Sequence, residues 1–467
     1  MLFNSLHFVV FFFVVLALNQ GLRRWPAAQK SMLLAASYYF YGQWSWAYLG
    51  IILWSTLLDY AIGLGLVRVR HPRRLLLVSL ATNLGLLAFF KYANFLIANW
   101  NGVADALAPA WHVTPMDILL PVGISFYTFQ SLSYVIDVYR GTSRPRRNLL
   151  DYALFVAFFP QLEAGPIVRD YEFFAELDGD RRVDAARMQE ALVLIAFGYA
   201  KKMVFADNLA RFADPVFDAP SQQGFWDTLL AVYAFAFQIY CDFSGYTDIA
   251  IGCALLLGFR YPQNFNYPYV AETLQDFWRR WHMSLSRWLR DYLYIPLGGS
   301  RHGPARTYFA LMLTMLLGGL WHGASWNFVI WGGLHGAWLA FERAVLMRWT
   351  VWRSEARAAR MLRWLVTFQI VCLAWIFFRS RTFADSRAVF ANLWHGSAVA
   401  FDPAKHGGIA LLLMALLAAH LAGGLRGTKT RLMQAGSAAY AGALAAIVLL
   451  VILFTPHASV PFIYFQF

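Results

Sequence analysis

Histidine is the side chain best suited to moving a proton near neutral pH, and two of the eleven in this chain stand in surroundings that make them candidates for that work. His322 lies in Gly318-Gly319-Leu320-Trp321-His322-Gly323-Ala324-Ser325-Trp326-Asn327, inside a strongly apolar, glycine-rich stretch at 311–340. An ionisable group at membrane depth is costly and usually faces an interior cavity. On the residues alone, a core histidine bonded to a carbonyl or hydroxyl fits this position equally well. His335, thirteen residues on, would point about 220° away around an unbroken helix, and it reads as a packing or loop residue.

His282 belongs to Asp276-Phe277-Trp278-Arg279-Arg280-Trp281-His282-Met283-Ser284-Leu285-Ser286. At roughly 100° per residue, Leu274, Phe277, Trp278, Trp281, Leu285, Trp288, Leu289 and Tyr292 share one stripe. Arg279, Arg280, Arg287 and Arg290 oppose it, with Asp276 and Asp291. The pattern predicts one amphipathic helix over 272–292, lying in the interface with its arginines toward the cytoplasmic leaflet. His282 falls at the border of its two faces, open to headgroups or to a protein cleft.

Three further groups are polar where apolar residues are expected. Asp242, Ser244 and Asp248 sit in an apolar run and need partners; orienting a histidine or pairing with arginines of the interfacial helix would serve, and structural pairing is favoured over direct catalysis. Six residues separate the two carboxylates, so one helical face cannot hold both. Phe158-Phe159-Pro160-Gln161-Leu162-Glu163-Ala164-Gly165-Pro166 breaks an apolar run, as a broken or re-entrant segment lining a cavity would, since freed backbone groups at that depth need protein or water; a bent interfacial loop is the plainer reading. Ser125, Thr128, Ser131 and Tyr134 recur at helical spacing, which helix–helix hydrogen bonding explains. No phosphate-binding glycine loop, paired metal histidines or nucleophile-elbow serine is visible, so chemistry here would rest on histidine and positioning, with no metal.

The elements that must hold these residues are membrane helices. Of 467 residues, 59% are hydrophobic and 14% charged, against roughly 45–50% and 25% in soluble domains. Apolar stretches recur at 2–18, 75–97, 362–378 and 438–454, near the roughly twenty residues needed to cross a bilayer, and about ten to thirteen spans are expected. The net charge of +13 is gathered at the ends of apolar segments: Arg23 and Arg24; Arg68, Arg70, Arg73 and Arg74; Arg140, Arg144, Arg146 and Arg147. The stretch 99–117 has no Lys or Arg. This alternation is the positive-inside pattern; it puts 68–74 and 140–147 in the cytoplasm, 99–117 and the N-terminus outside, and leaves no call for nucleic acid. Residues 1–7 lack the basic region of a signal peptide. Cys241, Cys253 and Cys372 are scattered through apolar segments and read as packing residues. Without internal repeats or a low-complexity linker, residues 1–467 read as one membrane domain. Its unusual residues concentrate at about 116–345, and polar loops near 379–386, 401–407 and 424–432 divide the last spans.

Taken together, residues 121–141, 158–169, 240–252, 264–301 and 314–336 resemble the membrane-bound O-acyltransferases, in particular the bacterial branch concerned with alginate O-acetylation. The run 276–286 and Gly319-Leu320-Trp321-His322-Gly323 carry most of the resemblance. Tyr292-Leu293-Tyr294-Ile295-Pro296-Leu297-Gly298-Gly299-Ser300-Arg301 favours that branch over teichoic acid D-alanylation. Glu163 departs from the family, where an apolar residue is usual. The resemblance implies an all-α polytopic fold, a ring of helices around a thinned centre with re-entrant or interfacial helices. It implies His322 as the catalytic residue with His282 assisting. Trp278, Arg279, Arg280, Trp281, Ser284, Arg301, Trp321 and Asn327 become the substrate-binding set, while Asp242, Ser244, Asp248, Gln161 and Glu163 become polar residues of the cavity.

The expected activity is transfer of an acetyl group from a cytoplasmic thioester, acetyl-CoA, across the bacterial inner membrane toward an exported polysaccharide, with no permanently bound cofactor. The expected partners are the bilayer, polysaccharide-synthesis machinery and, as the resemblance implies, an extracytoplasmic esterase-like (SGNH) protein that completes the transfer. D-alanyl transfer from a carrier protein and a transporter or export channel are the rival functions.

Overall fold

The computed structural model describes residues 1–163, 165–395, 400–423, 431–456 and 462–463, and the elements among them are helical. Most of the polar loop expected near 424–432, together with Ala164, falls outside the described residues. The chain divides into two compact units, Met1–Ala191 with Ala250–Pro262, and Leu192–Ile249 with Gln263–Phe467.

In the first unit, α1 (Leu6–Gly21), α2 (Pro26–Gly42), α3 (Trp46–Leu66) and α4 (Pro72–Leu107) arise from the first apolar runs. The α4 helix is longer than the expected span: the stretch 99–117, expected as a loop, is helical as far as Leu107. The rest folds back along it, Asn101 exchanging two side-chain bonds with the Val113 backbone and Asn94 two with Met116. Buried polar residues tie α3 to α4: Ser79 donates to Asp59 at 2.6 Å, Asn83 to Asp59 at 2.9 Å and Ser55 to Asn83 at 2.7 Å. Next come α5 (Ile124–Arg140), α6 (Leu149–Ala157), α7 (Asp170–Asp178) and the start of α8 (Ala185–Tyr199). The expected break after α6 is present. A four-residue turn of helix, Phe159–Leu162, follows it, and Phe158 to Glu163 are buried. Gly123, at φ +74°, abuts this turn; a Cβ there would lie 2.6 Å from the Leu162 carbonyl oxygen.

The second unit contains α9 (Asp207–Asp218), most of α10 (Phe225–Leu256), α11 (Leu274–Arg280), α12 (Met283–Leu289), α13 (Gly303–His322), α14 (Trp326–Ala344), α15 (Arg357–Arg379), α16 (Phe383–His395), α17 (Pro403–Leu421) and α18 (Ser437–Phe454). Among the described residues, α3, α4, α15, α17 and α18 are long and apolar enough to span a membrane. With a mean hydropathy of 2.4 and none of its residues buried, α18 presents an apolar surface of the length and composition that lipid covers. The protein is therefore a multi-pass membrane protein.

The α13–α14 pair is a hairpin made possible by glycine. A Cβ on Gly319 would fall 2.2 Å from the Phe328 carbonyl oxygen, and one on Gly332 2.2 Å from that of Met315. The two backbones touch where side chains would hold them apart, as small residues permit between membrane helices.

One end of this unit joins α11, α14 and α15: Glu272 pairs with Arg360 and Arg363 at 2.8 and 2.5 Å, and Glu342 accepts from the Leu274 and Gln275 amides. The opposite end holds the α13–α14 turn and the end of α15, where Asn327 donates to the Ser380 carbonyl at 2.9 Å and Arg379 pairs with Asp214 and Asp218.

Candidate active site

The expected single helix over 272–292 is broken at its histidine. Residues 274–280 and 283–289 are separate helices, and His282 between them has φ +42° and ψ +55°. Such left-handed backbone in a residue with a side chain costs roughly 1–3 kcal/mol and persists where surrounding structure enforces it. The enforcing contacts come from the strand-like approach of 264–266. Asn266 N–H donates to the Arg280 carbonyl and Met283 N–H to the Asn264 carbonyl, both at 2.9 Å. Asn264 Oδ1 accepts from Ser284 N–H at 3.0 Å and from its hydroxyl at 2.9 Å. Sequence periodicity could not show this, because the stripe survives the break: Leu274, Phe277, Trp281, Leu285, Trp288 and Leu289 are all buried.

The first of these helices, α11, runs along α14. Its contacts step along α14: Leu274 at Glu342, Phe277 and Trp278 at His335, then Trp278 at Trp331. Eleven residues of α14 correspond to about 16 Å of helix, so α11 leads from the Glu342 end of α14 toward its middle and carries His282 away from that end. The imidazole is fully buried, not at the border of two faces. It stands edge-on to Phe243 at 4.7 Å between ring centroids and lies 6.1 Å from Trp321. In this turn, outside any spanning helix, burial pushes its pKa down to about 3.

His322 is the last residue of α13 and keeps 5% of its surface exposed. Its ring is packed edge-on against Trp321 at 5.0 Å, Trp331 at 5.1 Å and Phe378 at 5.3 Å. Trp321 thus lies against both histidines. One histidine at the broken turn and a second at a hairpin tip stand against the same indole, among aromatic rings. Such a site is equipped to take and return protons.

A model of the membrane-bound O-acyltransferase family matches residues 143–384, just over half of the chain. The chain is 43% identical over 391 residues to the probable alginate O-acetylase AlgI of Azotobacter vinelandii, covering 82% of this chain and 77% of the relative. It is 36% identical to the peptidoglycan O-acetyltransferase of Helicobacter pylori, over 84% and 80% of the two chains. The likeness to the teichoic acid D-alanyltransferase of Bacillus subtilis is 26%, over 59% and 72%. This chain belongs to the membrane-bound O-acyltransferase family.

The other expected site residues of this acyltransferase divide by location. Trp278, Trp281 and Trp321 line the aromatic wall, Trp281 being packed on Trp375 at 5.0 Å. Ser284 donates its amide and hydroxyl to the Asn264 side chain at the His282 turn, and Asn327 donates to the Ser380 carbonyl at the end of α15. Arg280 pairs with Asp276 at 2.8 Å, whereas Arg279 and Arg301 are exposed. Gln161 and Glu163 lie in the first unit, Gln161 donating to the Phe155 carbonyl and Glu163 standing 3.6 Å from the N-terminal ammonium. His335 is a buried member of the wall, 4.7 Å from Trp331. The helix that would have turned it away from His322 is interrupted at 323–325, which voids the angular argument.

Asp242 and Asp248 have cation partners other than the arginines expected for them. Their partners are two adjacent lysines in a π-helical turn, Ala200–Ala206, that sequence reasoning missed. Lys201 binds Asp248 at 2.7 Å and Ser244 at 3.0 Å; Lys202 bridges Asp242 and Asp207 at 2.6 and 2.8 Å. Neighbouring lysines point to different faces, which suits carboxylates six residues apart. Two lysines inside an apolar stretch were the available signal. Asp242 also accepts from Ile463 N–H at 2.6 Å, and Phe462 beside it packs on Phe243, the ring that backs His282.

Proposed function

We propose that this acyltransferase moves an acetyl group from a cytoplasmic thioester, acetyl-CoA, across the bacterial inner membrane to a hydroxyl of an exported polysaccharide or of an esterase-like (SGNH) protein that passes it on. The convergence of His282 and His322 on Trp321 is the observation that carries this reading. His322 takes the acceptor's hydroxyl proton while the oxygen attacks the thioester carbonyl. The carbon–sulfur bond breaks, and the proton that His322 took passes to the departing thiolate, with His282 helping to relay it. An ester replaces a thioester with no redox change, so positioning and proton transfer suffice. The O-acetylases among the relatives support acetyl as the group and a cell-envelope glycan as its destination. The positive-inside pattern supports placing the end bearing Arg279, Arg301 and Arg360 in the cytoplasm, with the N-terminus outside. There the exposed arginines meet donor phosphates or anionic lipid. We take residues 1–467 to act as one catalytic domain with its core at about 116–345.

The test is transfer from labelled acetyl-CoA to polysaccharide by protein in nanodiscs, with the cognate extracytoplasmic proteins added. His322→Ala is expected to lower transfer at least about a hundredfold, the lower end of what proton transfer contributes. Undiminished transfer by this variant sinks the reading. Label accepted only from a carrier protein would indicate D-alanyl transfer, and polysaccharide flux that survives in His322→Ala without any acylation would indicate an export channel.

A further inference from the structure

At the His322 end of the second unit, Asp218 pairs with Arg379, the neighbour in sequence of the Phe378 that packs on His322. Three residues beyond Asp218 begins the wall of a cavity of about 290 Å³, lined by Ser221, Gln222, Gln223, Trp226, Asp227 and His406. None of these residues takes part in the site described above. Its walls are held by bonds from two other elements. Asn392 of α16 donates to the Pro220 carbonyl at 2.7 Å, and α17 supplies Lys405 and His406.

The polar atoms of this cavity are arranged in a fixed order. His406 Nδ1 accepts from the Asp402 amide at 3.1 Å, so its proton sits on Nε2, which donates to Asp227 Oδ1 at 3.2 Å. Lys405 Nζ binds the same oxygen at 2.7 Å. Among the described residues, both contacts fall on Oδ1, which leaves Oδ2 as the acceptor available to a ligand. The ammonium balances the carboxylate, so a cation gains no net attraction here, and an anion meets a carboxylate oxygen. A neutral ligand that donates hydroxyl groups avoids both penalties. Amides at Gln222 and Gln223 and the Ser221 hydroxyl add donors and acceptors, and the Trp226 indole supplies a flat apolar face. An apolar face beside a few placed polar groups is the usual make-up of a specific small-ligand site, and the volume, at the bottom of the usual range of about 300–1,000 Å³, suits a single ring.

We infer that this cavity binds one neutral pyranose unit of a glycan, stacked on Trp226 and hydrogen-bonded through Asp227 Oδ2 and the Gln222 amide. It holds the polymer at the same end of the unit as His322 without taking part in the chemistry. The biological meaning rests on acyl transfer to a glycan, but the binding does not depend on it.

The probe is cellohexaose, titrated against the full-length protein in nanodiscs and followed by saturation-transfer NMR, with a mannuronate hexasaccharide as the charged comparison. Saturable cellohexaose binding is expected, weakened at least tenfold by Trp226→Ala and by Gln222→Ala and unchanged by His322→Ala. Trp226→Ala and Gln222→Ala break none of the bonds that tie Asp227 to α17, so retained folding, checked by size-exclusion chromatography, keeps the result interpretable. Absence of saturable binding, or binding indifferent to both variants, overturns the inference. So does binding confined to mannuronate and abolished by Lys405→Gln, which would make the site an anion site. If cellohexaose binds as described while wild-type protein transfers no acetyl group, the acyl-transfer reading fails and the glycan site stands. If transfer proceeds and cellohexaose does not bind, the reverse holds.

Discussion

Replacing Lys202 by methionine would remove one cation from a site where two carboxylates depend on it. The three side chains are only 3–5% exposed, and the ammonium lies 2.6 Å from Asp242 and 2.8 Å from Asp207. Lys201 cannot substitute, being committed to Asp248 and Ser244. Removing one partner of a buried ion pair costs roughly 3–5 kcal/mol, because the charge left behind is uncompensated. At about 2–4 °C per kcal/mol for domains of 150–250 residues, the second unit should melt roughly 6–20 °C lower. Asp242 also anchors Ile463, next to the Phe462 that packs on Phe243, so the wall behind His282 should loosen with it. Thermal unfolding in detergent, read by fluorescence-detected size-exclusion chromatography, measures the shift. The double variant Lys202→Met/Asp242→Asn should recover part of the loss, since it removes charge from both sides of the pair, with a coupling of about 0.5–3 kcal/mol expected for groups in contact. A single variant within about 2 °C of wild type, or strictly additive losses, would refute the reasoning.

Gly319→Ala should abolish correctly folded protein, because its Cβ falls 2.2 Å from a backbone oxygen that cannot yield; Gly333→Ala, whose Cβ meets only the tip of Leu316 at 3.4 Å, should express and transfer normally. Comparing the monodisperse yields of the two variants checks the hairpin argument. Glu272 supplies a pH dependence: burial alone would raise its pKa, but bonds from Arg360 and Arg363 outweigh burial and hold the carboxyl below its ordinary value of 4.5. A depressed carboxyl stabilises the fold above the unfolded-state pKa and loses that contribution as pH falls through the folded-state value. Wild-type melting temperature should therefore fall on acidification below about pH 4.5, and Glu272→Gln should be less stable at neutral pH and flatter through that window.

The sequence by itself determined the solvent and, through its motifs, the family. Runs of twenty apolar residues leave only helices in lipid, where every backbone amide must be satisfied locally, and α1, α4, α15 and α18 lie where those runs predict. Two histidines in apolar contexts were legible for the same reason, since a polar group is conspicuous where it is costly. Periodicity also identified which residues between 272 and 292 are buried. It could not reveal that the helix breaks at His282, because a break that preserves the stripe leaves the pattern of side chains unchanged. That break depends on Asn264 and Asn266, some sixteen residues upstream, whose bonds form only when the chain has folded back. The partners of Asp242 and Asp248 were hidden in the same way. Carboxylates announce that they need a cation, but only packing decides that adjacent lysines in a π-helical turn, some forty residues earlier, supply it.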